Sequence, residues 1–558
     1  MFQSFRLSMA WLHTWFGLVL GFILMAVFFF GTLSVFDREI DRWAIPQTRF
    51  APQAMPSYDK LLAPIFKQIV PEDDELAEAR VRVGGPLPAV LPPLNWGAYT
   101  THRDPVLSLF AEFAVTNNRA DPDDHVHGHL TIDPRSGAVL PHDQLKIGSE
   151  FFYPMHYSLH LEWKNLGYWV VGLAALAMLA ALVSGVVMHR KIFRELFTFR
   201  RNKQVQRSVL DLHNLTGVVA LPFHFIFALT GLVIFAGMYL PVGETMLKPQ
   251  AQAHAMAEAK AKGLPFKPAG VAAPLASVDA MVVEAKRRWA ARGMPGTVGL
   301  LYVTHIGDVN SYVSIYRAGS DRVALVGQAV HFDGPSGRVI SEDAPPTIVS
   351  GINEFLTGLH LQHFEHWLLR WFYVFGGLSG CACIATGFIF FVEKRKRQHA
   401  KQGIAGARWV DALAVTTVTG MLLAVLAMLV ANRLLPDGLP HRGDWQKNIF
   451  WGAWFLAFLH AWWRSAPVLR ACISPAWREQ CSMLAVLAAG AVLLNAVTTG
   501  DHLFKTVGAA YWPVAGFDLA LLAVAVVALL AALRLRRREQ PDSGEMSSSI
   551  NAKGGAHA

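Results

Sequence analysis

Charged side chains are scarce in this chain: Asp, Glu, Lys and Arg make up 16% of its 558 residues, against 53% hydrophobic. A soluble protein of that length needs a more polar surface, so the balance points to a polytopic membrane protein. Cysteine is nearly absent. Four are too few for a disulfide scaffold; Cys381 and Cys383 fall inside an apolar run, and Cys472 and Cys481 flank a basic stretch, which argues against a structural disulfide. There is no P-loop and no G-x-G-x-x-G between a strand and a helix, so the chain is expected to lack its own nucleotide or nicotinamide site. No A-x-A site follows the first apolar run, whose core is too long for a signal peptide, and it reads as an uncleaved anchor. The net charge of +9 does not indicate nucleic acid, because Lys and Arg gather beside apolar runs as the positive-inside rule requires.

What is present is a set of membrane-length apolar runs. Windows at 11–36, 166–188, 209–240, 368–392, 410–431, 449–463, 483–497 and 514–533 predict about eight transmembrane helices. Basic clusters from His189 through Arg207, at Lys394 to Arg397, at Arg464, Arg470 and Arg478, and from Arg534 through Arg538 all fall on one side, which reads as cytoplasmic along with both termini. Two polar segments, 37–157 and 241–357, then face outward. They carry turn signals and short alternating runs, including Ala79 to Val83, Thr297 to Val303 and Tyr312 to Tyr316, and read as small mixed α/β domains. The chain thus divides into helices within 1–36, 158–189, 208–240 and 358–393, connecting loops at 190–207 and 394–408, four additional helices within 409–534, and a tail, 535–558. From Gln540 that tail is rich in Ser, Gly and Ala and is expected to be disordered.

An internal repeat organises the first 395 residues. Leu12-His13 with Gly17 and Gly31 matches Leu212-His213 with Gly217 and Gly231, an offset of 213 − 13 = 200. The same offset relates Asp133, Ser136-Gly137 and Val139 to Asp333, Ser336-Gly337 and Val339, and Leu159-His160-Leu161 to Leu359-His360-Leu361. The unit helix, outer domain, helix is duplicated, with Ser-Gly hairpin turns in each outer domain.

Histidines stand out against the apolar background. In a straight helix, His213 and His224 are eleven residues apart, about three turns plus 20°, so they share one face about 16 Å apart. An imidazole in hydrocarbon calls for a partner, and two on one face favour metal ligation. His13, His189 and His213 form one layer at the cytoplasmic helix ends. His160, His224 and His360 form a second, deeper layer. Gly17 and Gly217, one turn beyond His13 and His213, leave room for a flat macrocycle. Two b-type haems are expected, each layer offering one candidate ligand more than two axial positions need. No C-x-x-C-H occurs, which excludes the usual covalent c-type attachment. An interfacial, solvated placement is the alternative for His13 and His189. His156, His363 and His366 read as surface positions, and His125, His127 and His129 as a weak metal-touching tract in a polar segment.

The Leu-His-x-x-x-Gly openings, the block MHRKIFRELFTFR followed by RSVLDLHNLTGVVALPFHF, and the paired D-x-x-S-G-x-V turns resemble the PepSY-associated transmembrane family, in particular its inner-membrane ferric-siderophore reductase and iron-uptake group. The resemblance covers about residues 1–395. It implies four core helices carrying two b-type haems on His13, His160, His189, His213, His224 and His360, with axial pairs unassigned, and two PepSY-like α+β domains in the periplasm. It also implies haem-dependent reduction of ferric siderophore or another ferric chelate for iron uptake, fed by a separate donor such as a quinol or a cytoplasmic reductase. The last four helices, with His460 and His502, depart from the shorter members. Two other functions stay open. One is a membrane-anchored PepSY module that binds peptides or proteins without redox chemistry. The other is a transporter of iron chelate or haem, which suits the repeat, although the spans show no Gly/Pro-broken helix pairs or buried carboxylates.

Overall fold

The computed structural model describes residues 4–100, 103–115, 125–140, 145–188, 205–324, 327–403, 406–465 and 474–539. His189, Cys472, most of the first basic loop and the tail from Gln540 lie outside the described residues. Five helical stretches are long and apolar enough to cross a membrane: Trp163–Met188, Trp367–Arg395, Gly406–Leu434, Pro475–Thr499 and Trp512–Arg537. Two further apolar runs are split, Phe5–Val19 with Gly21–Ser34 and Val205–Val219 with Leu221–Ile234, each bent by 62°. Counting each bent pair as one span gives up to seven, and the chain is a multi-pass membrane protein. The eighth expected span lies within the helix Arg442–Arg464, whose first turns carry Arg442, Asp444 and Lys447; it is long enough but not apolar enough to count with the others.

The two bends repeat the offset seen in the sequence, at Leu20 and at Ala220, 220 − 20 = 200 residues apart. In the second pair Pro222 lacks an amide hydrogen and its ring clashes with the preceding turn, which accounts for the break. The first pair has Phe22 at the matching position. There Gly21 lies against the Phe388 ring, where an added Cβ would come within 3.1 Å, and the close approach takes the place of the proline. The expectation of unbroken spans is therefore corrected: without Pro222 in both halves, the sequence pattern reads as two straight helices.

By their contacts the described residues divide into a helical unit, within Met1–Pro46, Asp143–Leu229 and Trp371–Ala558, and a sheet unit, within Gln47–His142 and Thr230–Arg370. The helical unit has an apolar core that includes Leu24, Phe30, Trp43, Phe152, Met421 and Phe450. The short helix Asp37–Ala44 ties its parts together. Asp41 accepts from the Gly148 amide at 2.7 Å and the Ser149 hydroxyl at 2.6 Å, Trp43 Nε1 donates to Asp518 at 2.8 Å, and Arg433 donates to the Trp43 carbonyl at 2.7 Å. Asp518 is buried within the helix Trp512–Glu539, so a carboxylate does lie inside the bundle, contrary to expectation, with Asn495 as a second donor at 3.2 Å.

The sheet unit differs from two separate small domains. Each half contributes strands, β1 (Pro93–Tyr99), β2 (Leu107–Ala114) and β3 (His125–Ile132) from the first, and β4 (Val298–Thr304), β5 (Tyr312–Arg317), β6 (Ala329–Asp333) and β7 (Val339–Glu342) from the second. They pair in the order β3-β2-β1-β4-β5-β6-β7, so β1 meets β4 antiparallel and the halves share one seven-stranded sheet. The alternation read at 297–303 and 312–316 becomes β4 and β5. The run 79–83 instead belongs to the helix Asp73–Val83, closed by Gly84 at φ +70°: its Arg-Val alternation is short, and three acidic residues in the first turn and two arginines in the last suit a helix dipole. The Asp133 and Asp333 turns are as expected, with Gly137 at φ +77° and Gly337 at φ +68°, a conformation glycine adopts without steric cost.

The halves also cap each other. Asp279 accepts from the Ser57 hydroxyl and from the Tyr58 amide at 2.7 Å, while Asp59 accepts from the Ser277 hydroxyl at 2.6 Å and the Val278 amide at 3.1 Å. Each aspartate thus satisfies the start of the other half's helix. Asp279→Ala and Asp59→Ala should each destabilise the sheet unit by about 1 kcal/mol, read as a lower thermal midpoint and earlier proteolysis between 47 and 370.

Asp343 fixes the β7 end of the sheet. Burial alone would raise its carboxyl, but His331 Nε2 at 3.1 Å, Lys262 Nζ at 2.7 Å and the Ala329 amide at 2.9 Å outweigh that and hold it below the usual carboxylate range. A carboxyl depressed on folding contributes stability that is present above its unfolded pKa, about 4, and is lost as pH falls through the folded value. The thermal midpoint of the full chain should therefore fall on acidification below about pH 4, and Asp343→Asn should flatten that dependence while lowering the midpoint at neutral pH.

Candidate functional site

His13 and His213 come together. Their ring centroids are 6.1 Å apart with planes at 86°. His13 Nδ1 pairs with the Ala181 carbonyl at 2.9 Å and His213 Nδ1 with the Cys383 carbonyl at 2.8 Å. A carbonyl can only accept, so both Nδ1 atoms carry the proton and Nε2 is the nitrogen able to bind a metal. Glycines make the seats: a Cβ at Gly185 would lie 3.3 Å from His13, and one at Gly387 would lie 3.5 Å from His213. Gly17 faces open space, as a macrocycle would need, whereas a Cβ at Gly217 would meet Cys383 Sγ at 3.3 Å. Two imidazoles binding one metal ion from opposite sides, with metal–nitrogen distances of about 2 Å, have centroids roughly 6 Å apart.

The straight-helix relation between His213 and His224 does not hold, because the bend at Ala220 falls between them. Both still dock on the helix Trp367–Gln402: His213 at Cys383, and His224 through Nε2 to the Gly376 carbonyl at 3.2 Å. Those points are 383 − 376 = 7 residues apart, two turns and about 10 Å, so two depths persist at a smaller separation than the 16 Å expected. His224 is fully buried against the edge of Phe28, 5.5 Å between centroids. With Nε2 donating to Gly376, its Nδ1 is a bare acceptor, buried and without a hydrogen-bond partner. The first half has Leu24 at the corresponding position, 224 − 200.

The repeat misassigned one histidine. His360 rests on Gly231, where a Cβ would come within 3.1 Å, and its Nδ1 pairs with Thr230 Oγ1 at 2.9 Å. The environment that matches it in the first half belongs to His156, which rests on Gly31, where a Cβ would come within 2.7 Å, and donates from Nδ1 to the Val27 carbonyl at 2.9 Å. His156 was expected at the surface and is half-buried instead. His160, which aligns with His360 by offset, has φ +53°, bonds through Nε2 to the Phe151 carbonyl at 3.0 Å and stacks on the Phe151 ring at 4.7 Å. The repeated pair Gly31 and Gly231 was the available signal: each seats an imidazole.

His127, His129, His363 and His366 stand apart from these. His363 and His366 are exposed. His127 and His129 pair with Glu75 at 3.0 Å and Glu72 at 2.7 Å, fastening the helix Asp73–Val83 over the edge strand β3. Among the described residues no three His, Cys, Asp or Glu side chains form a group that could hold a metal ion. Cys381, Cys383 and Cys481 are free thiols.

A family model described as the PepSY-associated TM region matches residues 10–394. The chain belongs to the PepSY-associated transmembrane family. The match takes in both bent pairs, the whole sheet unit and every histidine of the two layers, and stops before the last helices of this PepSY-associated transmembrane protein. An uncharacterised protein of Pseudomonas aeruginosa is 26% identical over 307 residues, 52% of this chain and 74% of that one.

The burial pattern predicts a graded histidine reactivity. With diethyl pyrocarbonate on the detergent-purified protein, His363 and His366 should be modified readily and His224 only after unfolding, as mapped by peptide mass spectrometry.

Proposed function

We propose that this protein is a ferric-chelate reductase of the bacterial inner membrane, binding two b-type haems in its helical unit and delivering electrons to a ferric siderophore or similar chelate at the sheet unit. The observation that carries this reading is the His13–His213 pair, whose 6.1 Å spacing is that of two axial imidazoles. The residues fit the group: Nδ1 of each ring is tied to a carbonyl, and glycines flank both rings. When bound, haem supplies a reversible one-electron ferric–ferrous couple. The chain's part is to orient two imidazoles and exclude water, with Phe22 and Phe388 stacked at 4.3 Å beside the layer. For the second haem, the buried acceptor nitrogen of His224 is the first candidate ligand, and His156, on its glycine seat, is another.

A transporter of iron chelate or haem is the second reading, and the two bent helix pairs favour it, since broken spans are common where carriers bind their cargo. Uptake of ferric chelate into proteoliposomes without any reductant would support it.

Pyridine haemochrome analysis should give two haems per chain. His213→Ala should remove one, His224→Ala the other, and His156→Ala should disturb the second haem more than His160→Ala does. A ratio near zero in folded protein rules out the reductase reading.

A further inference from the structure

Outside the part matched by the family, an ionisable cluster joins the helix Arg442–Arg464 to the helix Pro475–Thr499. His460, near the end of the helix Arg442–Arg464, donates from Nε2 to Glu479 at 3.0 Å, and Glu479 also accepts from Arg464 at 2.8 Å and 2.5 Å. Gln480 orients the imidazole: its amide nitrogen donates to His460 Nδ1 at 3.3 Å and to the Ala457 carbonyl at 2.9 Å, while its oxygen accepts from Thr419 at 2.7 Å. The tautomer follows, with the proton on Nε2 facing the carboxylate. Simple clamping of two helix ends would need only Glu479 with its two cations, Arg464 at 2.5 Å and Arg478 at 3.6 Å. The imidazole and its buried Gln480–Thr419 support are additional.

Three features say what such a cluster would take. His460 and Glu479 are about one-third exposed, 34% and 29%, on a surface whose other residues include Phe455, Leu456, Leu459 and Trp463, so the opening is toward lipid. Arg464 and Glu479 lie within about one turn of their helix ends, the level of the headgroup boundary. The next residue, Ala461, is fully buried in one apolar cluster with Phe388 and Trp477, against which Leu18 and Phe22 pack. Phe388 follows Gly387, the seat of His213. The cluster therefore stands beside the His13–His213 layer, separated by packed apolar side chains.

We infer that His460 and Glu479 form a binding site for a membrane quinol, entered sideways from the lipid, that feeds electrons to the His13–His213 layer. The destination of the electrons rests on the haem reading above; the binding site does not. A phenolic hydroxyl is recognised by a carboxylate acceptor flanked by an imidazole, and a long isoprenoid tail by the apolar exterior. Oxidation of one quinol to quinone breaks two O–H bonds and releases two electrons and two protons. The protons pass by way of Glu479 to water at the membrane face, and the electrons leave one at a time; a haem held by His13 and His213, when bound, would be their acceptor.

Photolabelling of the full chain with an azido-ubiquinone in nanodiscs of fixed lipid composition tests the site without reference to haem. Label should enter 442–464 or 475–499 near His460, be displaced by decylubiquinone, and require about tenfold more reagent in Glu479→Gln and His460→Gln, the loss expected for one charged hydrogen bond. Label located elsewhere on the unsubstituted chain, or competed equally in both folded variants, overturns the inference. Labelling at His460 in protein that contains no haem would uphold the site and refute only the electron route.

Discussion

Hydrocarbon offers no hydrogen-bond partner, so each polar group carried into it must be satisfied by another part of the chain. In this bundle the imidazoles obey that constraint in one recurrent way: a ring on one helix donates to a backbone carbonyl on another. His13 meets Ala181, His213 meets Cys383, His224 meets Gly376 and His156 meets Val27. Each such bond contributes only about 1 kcal/mol in a membrane, too little to hold the bundle together. What the bonds do is fix tautomer and ring orientation, and they require backbones close enough for a ring to reach a carbonyl. Gly31, Gly185 and Gly387 supply that closeness for His156, His13 and His213.

Much of this was legible in the sequence. The offset of 200 recurs in the bends at Leu20 and Ala220, and the repeat put His13 and His213 in one layer, although it left open which imidazoles pair. Three things were not legible, each for a physical reason. The bends were hidden because only one half carries a proline. His156 was hidden because an offset aligns residues by number, whereas the second helices of the two halves are displaced: Gly185 and Gly387 play one part at an offset of 387 − 185 = 202. The joining of β1 to β4 was hidden because strand register between distant segments leaves no local periodic trace.

The last helices are more than an appendage. Arg433 and Asp518 both engage the short helix after the first bent pair, through the Trp43 carbonyl and the Trp43 indole, and Phe450 packs on Phe151, the ring that also stacks with His160. Substitutions in these helices are thus coupled to the duplicated part, through a buried polar contact near Trp43 and an apolar one near Phe388.

The way β1 meets β4 bears on how such a chain arose. Gly97 pairs with Tyr302, and the strands begin at Pro93 and Val298, so 302 − 97 and 298 − 93 both equal 205. Gly97 and Tyr302 thus sit at matching places in their strands, and the two strands meet antiparallel, as they would in an isologous two-fold contact. A single ancestral half would have ended in a bare strand edge, and a second copy of itself is the partner that edge fits. Within this one chain the second half supplies that partner, and the β1–β4 pairing leaves no bare edge at the seam. The two halves are alike without being identical: His224 stands where the other half has Leu24.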